Sequence, residues 1–153
     1  MEKLRTFLIF ISQVLIASLL SFVVASLMHS QTTISGLIDV GAKLSLNDKL
    51  TTVYYDFIGL LPVYGSIIFA GMLIAMPIAS VIKRKLQISN RLIHCLAGAM
   101  AIVTILIAMH PILNVTLIAG ARGTGGMLMQ SIAGAIGGLA YAFVHEHNQK
   151  TRQ

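Results

Sequence analysis

Tryptophan is absent, cysteine occurs once, at Cys95, and only 5 of 153 residues are acidic. Each shortage closes off a class of protein. A single cysteine excludes an internal disulfide and any CxxC metal or redox motif. Its place in an apolar run reads as a small buried thiol. Charged residues make up 10% of the chain, where an average soluble domain carries about a quarter. So little charge cannot cover a water-facing surface. That excludes an ordinary soluble enzyme, a disordered protein and a nucleic-acid-binding domain. What is abundant is apolar: 56% of the residues, with a mean hydropathy of +0.85. The chain reads as one small integral membrane domain, all-α.

Four segments are long and apolar enough to cross a bilayer, which takes about 20 residues. They run over 7–28, 57–82, 92–110 and 126–144, and none contains Asp, Glu, Lys or Arg. A charge at the membrane centre costs at least ~2.5 kcal/mol, so their absence supports each assignment. The first segment follows Lys3 and Arg5 and resembles a signal peptide. Its apolar run of about 19 residues exceeds the usual h-region, so a retained helix is expected. In the second, Pro62 is expected to mark the first turn. Pro77 removes a backbone hydrogen bond near the other end and favours a bend.

The basic residues set an orientation. Lys3, Arg5, Lys83, Arg84, Lys85, Arg91, Lys150 and Arg152 share one side of a four-span topology; Lys43, Lys49 and Arg122 occupy the other. The positive-inside rule puts the first group, and both termini, in the cytoplasm. The net charge of +6 is thus a topology signal with anionic-lipid contact, and needs no nucleic acid. Residues 83–91 form the cytoplasmic loop. Residues 29–56 and 111–125 are expected as outer loops, the first ordered on the membrane or on a partner. Tyr54 and Tyr55 fall where an aromatic belt belongs.

Lipid gives helices no hydrophobic reason to associate, so small residues must pack them. Gly126, Gln130, Gly134, Gly138 and Ala142 form a four-residue stripe in the last span, widened by Gly137. Gln13, Ala17, Ser21 and Ala25 form one in the first, and Gly71, Ala75 and Ala79 in the second. Ala97 and Ala101 supply the third. Gln13 and Gln130 are the amides well inside spans and read as interhelical hydrogen bonds near opposite ends of the bundle.

Chemistry is scarce. His94 and His110 lie about 24 Å apart along one helix, too far to share a site. No nucleophile triad, HExxH or paired-carboxylate pattern is present, so no catalytic residue is assigned and no enzyme activity is expected. Arg122, Gly123, Gly125 and Gly126 precede the last span. Glycine amides, a helix N-terminus and an arginine favour an anion or lipid headgroup there, although the phosphate-loop lysine is missing at position 126. Met28, His29, Met109, His110, Met127 and Met129 gather at the outer level as soft ligands suited to Cu(I), without a spacing motif. A bis-His haem pairing of His29 with His110 and His94 with His145 puts its ligands at span ends rather than within the bundle. No cofactor is expected.

The sequence therefore predicts a four-helix transmembrane bundle, with a bacterial inner membrane as the expected location. The expected role is a non-enzymatic accessory or scaffolding subunit. It would associate with lipids and with other membrane chains or a second copy through small-residue faces. A small oligomeric transporter or channel is the alternative, and a redox or copper protein the second.

Overall fold

A computed structural model describes the backbone of residues 2–113 and 124–150, and the side chains of residues 2–109 and 125–150. The described residues are helical almost throughout. α1 is Glu2–Asp39, α2 is Leu46–Leu60, α3 is Ser66–Leu86, α4 is Asn90–Leu113 and α5 is Thr124–Lys150. One π-helical turn, Leu61–Gly65, joins α2 to α3 without a break. Four helical rods are long and apolar enough to cross a membrane. They form a ring in which α1 packs on α3 and α5, and α4 packs on α3 and α5. The fold is a four-helix membrane bundle.

The helices extend past the expected spans. α1 continues 11 residues beyond Met28, and the second rod begins at Leu46, 11 residues before Phe57. The expected outer loop 29–56 is thus a helical hairpin with a short link at 40–45. At 1.5 Å per residue the hairpin rises about 16 Å past the bundle. Polar residues do not stop α1 here, because Thr32 and Thr33 donate back to the carbonyls of Met28 and His29. Its end is a Schellman motif: Ala42 N–H bonds Leu37 O, and Gly41 N–H bonds Ile38 O. Gly41 has φ +90°, a conformation that favours glycine.

α2 starts on a capping box. Asp48 N–H donates to Ser45 Oγ at 3.2 Å, and Ser45 N–H donates to Asp48 Oδ2 at 2.9 Å. The hydrogen bonds from Ser45 hold the Asp48 carboxyl below its ordinary value of 3.8. The cap is therefore present above about pH 4 and is lost as pH falls through the depressed value. Ser45→Ala is expected to cost about 1 kcal/mol of hairpin stability. Hydrogen exchange at residues 46–50 would show it, with protection unchanged in α4 and α5.

Pro62 lies inside the second rod, not at its start. It has no N–H to donate to Ile58, and the chain accommodates this with the π turn. Ser66 Oγ bonds the carbonyls of Pro62 and Val63 at 2.7 and 2.8 Å. The turn delivers Tyr64 into the core beside Phe22, Ile68, Met72, Met76, Ile102 and Leu106.

Candidate functional site

Close backbone contact organises the bundle. α4 and α5 run antiparallel with Gly98 against Gly134 and His94 against Gly138. A Cβ added at Gly98, Gly134 or Gly138 would run into the carbonyl oxygens of Gly134, Gly98 and His94 respectively. On the neighbouring face, a Cβ at Gly137 would lie 2.7 Å from Ala17 O and 2.6 Å from Ser21 Oγ. The stripe of α5 is thus spent inside the chain, on α4 and α1. α4 meets α5 through Gly98, while the expected pair Ala97 and Ala101 lies on the α3 side, Ala101 buried and Ala97 packed against the core. Those two line a groove shared with α3.

α1 carries a polar column into the core. Ser21 Oγ donates to Ala133 O at 2.8 Å. Gln130 Nε2 donates to Ala25 O at 3.1 Å, and Tyr64 OH donates to Gln130 Oε1 at 3.0 Å. Gln13 Oε1 meets His145 Nδ1 at 3.2 Å. Gln13 and Gln130 thus sit in separate networks at two levels. Ser30 Oγ donates to Asp56 Oδ2 at 2.9 Å and ties the hairpin together.

A second polar cluster lies at the basic end. His94 is fully buried. Its Nδ1 is 2.7 Å from Asn90 O, so that nitrogen carries the proton. Nε2 meets Ser80 Oγ at 3.1 Å, and the Ser80 hydroxyl also donates to Met76 O at 3.0 Å. Tyr141 stacks on His145, with centroids 5.6 Å apart, and packs against His94 at 5.0 Å. Outside the spans, Glu146 accepts from Asn90 Nδ2 at 3.1 Å and Arg91 Nη2 at 3.0 Å. These hydrogen bonds, Asn90 first, hold its carboxyl below the ordinary value. Lys83 Nζ donates to Asn90 Oδ1 at 3.1 Å, so one knot joins the ends of α3, α4 and α5.

Two of the cavities among the described residues follow from this packing. The first is a groove of about 670 Å³ between α3 and α4, open to the side. Ala70, Gly71, Ala75, Ala97, Ala101 and Ala108 keep it low, and isoleucines form its ridges. The second, of about 530 Å³, lies at the basic end between α1, α3 and α5. Gln13, Ser80, Arg84, Tyr141, His145 and Gln149 are among the residues that line it.

The other expected residues are dispersed or lie elsewhere. Arg122 and Gly123 lie outside the described residues, as does the side chain of His110. Gly125 is exposed and Gly126 half-buried at the start of α5. Met109 belongs to the core, Met127 packs beside it, and Met129 is half-exposed. Met28 is half-buried and His29 buried on α1. Among the described residues no three His, Cys, Asp or Glu side chains are grouped to hold a metal. His94 and His145 both face the Tyr141 ring. Sequence reading missed Ser80, Tyr64, Asn90 and Gly98. For Gly98, the signal was its four-residue step from His94, matching the step from Gly134 to Gly138.

Fold and site together define a membrane-spanning four-helix bundle with a lateral apolar groove and a cavity lined by polar groups. Comparison with family models, curated proteins and solved structures found no match for this chain.

Proposed function

We propose that this chain is a non-enzymatic accessory subunit that holds one transmembrane helix of a larger membrane protein in its α3/α4 groove. The observation that carries this reading is the groove itself. The glycines of α5 and the small residues of α1 are already engaged within the bundle. The α3/α4 floor is only partly engaged: Gly71 packs on Ile105 and Ala79 and Ala101 are buried, while Ala70 and Thr104 stay exposed, and small residues are what membrane helices use to approach one another. The ridges Ile74, Ile78, Leu96 and Met100 stay exposed beside it. Positions 71, 74, 78, 82 and 85 share one helical face, so Lys85 continues the groove at its basic end. A second copy seated in the same groove would set two such lysines together. A partner helix with an acidic residue at that level complements the charge instead.

The positive-inside rule supports cytoplasmic termini, and the short links with a single cysteine fit a bacterial inner membrane. A transport role would need several copies, because Tyr64, Ile68, Met72 and Ile102 fill the bundle axis.

Ala70 and Thr104 are exposed positions on opposite walls of the groove. The variant Ala70→Phe/Thr104→Phe fills it and leaves the core untouched. Native mass spectrometry after mild solubilisation is expected to show the wild-type chain in a complex heavier than 16.4 kDa. The variant is expected to shift to the bare chain, with unchanged circular dichroism. A photo-crosslinker at position 70 should map to a transmembrane segment of another chain. A complex that survives the filled groove sinks the proposal.

A further inference from the structure

The cavity at the basic end has a composition that selects a ligand. Among the described residues that line it, Arg84 carries the one formal charge and none is a carboxylate. Thr6, Asn148 and Gln149 add neutral hydrogen-bonding groups around Arg84. Ile9 and Phe10 of α1 and Pro77 and Val81 of α3 give the cavity an apolar wall, with Pro77 and Val81 on the same helix face as Arg84. That wall continues onto exposed Phe7, Leu8 and Ile78, a surface with the character of the lipid-facing spans. Other basic residues of this end, among them Lys3, Arg5, Lys83 and Lys85, add a positive field. Glu146, the nearest acid of α5, is occupied by Arg91 and Asn90.

We propose that this cavity binds one anionic phospholipid. The phosphodiester sits on Arg84, whose planar guanidinium can meet two phosphate oxygens at once. The amides of Asn148 and Gln149 serve the glycerol and headgroup oxygens. The first carbons of an acyl chain lie along Phe10, Pro77 and Val81. A volume of about 530 Å³ holds a headgroup and the start of the chains, not a whole phospholipid. The rest stays in the bilayer, which the open apolar wall permits. A water-soluble anion would leave that wall uncovered. Basic pockets between helices near the membrane surface bind anionic headgroups by this combination of charge and shape. The site lies at the end of the bundle away from the start of α5. It shares no lining residue with the α3/α4 groove except the helix α3 itself, so it stands independently of the partner reading.

The test is a lipid titration of the delipidated chain in detergent, read by native mass spectrometry. The probes are phosphatidylglycerol, phosphatidylcholine with the same acyl chains, and oleate. One phosphatidylglycerol is expected to bind about tenfold more tightly than phosphatidylcholine, which has the same phosphodiester but brings the positive charge of choline toward Arg84. Arg84→Gln should erase that preference. Lys85→Gln removes the same charge one residue away, outside the cavity, and should keep it. Val81→Trp alters an exposed wall position and should block the adduct while circular dichroism stays unchanged. Equal loss in Arg84→Gln and Lys85→Gln would reduce the effect to general surface charge and overturn the site. Equal binding of the two phospholipids would also overturn it. Oleate binding more tightly than phosphatidylglycerol would assign the cavity to a fatty acid instead.

Discussion

Gly138→Ala is expected to destabilise the bundle by about 3 kcal/mol, the upper part of the range for overpacking a core. Most overpacked sites relax because a flexible side chain gives way. Here the new methyl group meets the carbonyl of His94 and the Cα of Cys95, so α4 as a whole must move. Moving α4 would also disturb the hydrogen bonds of His94 and the knot of Lys83, Asn90, Arg91 and Glu146. Gly98→Ala and Gly134→Ala meet each other's backbone and should behave alike. Leucine at any of the three should prevent the native bundle from forming. Gly59→Ala is the control, since a Cβ there has nothing within 4 Å. In an open helix position alanine is favoured over glycine by about 0.5–1 kcal/mol, so the control should be neutral or stabilising. Thermal unfolding in one detergent compares all four. Gly138→Ala unfolding like the wild type would refute the packing described for α4 and α5. The same series separates two roles for the stripe. A stripe used between chains would lose assembly and keep the fold; one used within the chain loses the fold.

Hydropathy made the four spans legible, because a membrane core tolerates almost no charge and each span lacks it. The hairpin was less legible. Gln31, Thr32 and Thr33 resemble loop residues by composition, yet their helix persists through hydroxyl bonds to the preceding turn. The sequence Ser45-Leu46-Asn47-Asp48 held the signal for the start of α2, an acid three residues after a serine. Gly41 held the signal for the end of α1. Pro62 was misleading, because proline at a helix start and proline in a π turn look alike in one dimension. The small-residue stripes of α1 and α5 were visible as four-residue repeats. Gly98 was not, being one glycine between the small residues Ala97 and Ala99. Ser80 and His94 meet across the turn between α3 and α4. Fourteen residues of sequence separate them, and only the antiparallel return of the chain brings them together.

The buried amide gives the second large effect. Tyr64 OH donates to Gln130 Oε1, and Gln130 Nε2 donates to Ala25 O, so one side chain bridges α5 to the π turn and to α1. Gln130→Leu leaves the Tyr64 hydroxyl without its acceptor and Ala25 O without that donor. Both sit where water is scarce: Tyr64 and Gln130 are each 1% exposed. A buried group left unpaired costs about 1–3 kcal/mol, so Gln130→Leu should fall near 2. Tyr64→Phe deprives only Gln130 Oε1 and keeps the ring in the core. It should cost about 0.6 kcal/mol, the average for an interhelical hydrogen bond in a membrane. The double variant is the decisive one. With both partners apolar, no hydroxyl is stranded, and Tyr64→Phe/Gln130→Leu should be less destabilised than the sum of the two. A strictly additive pair would mean that Tyr64 and Gln130 do not share a hydrogen bond. The π turn would then have to be explained by Pro62 alone, without the advantage of presenting Tyr64 to α5.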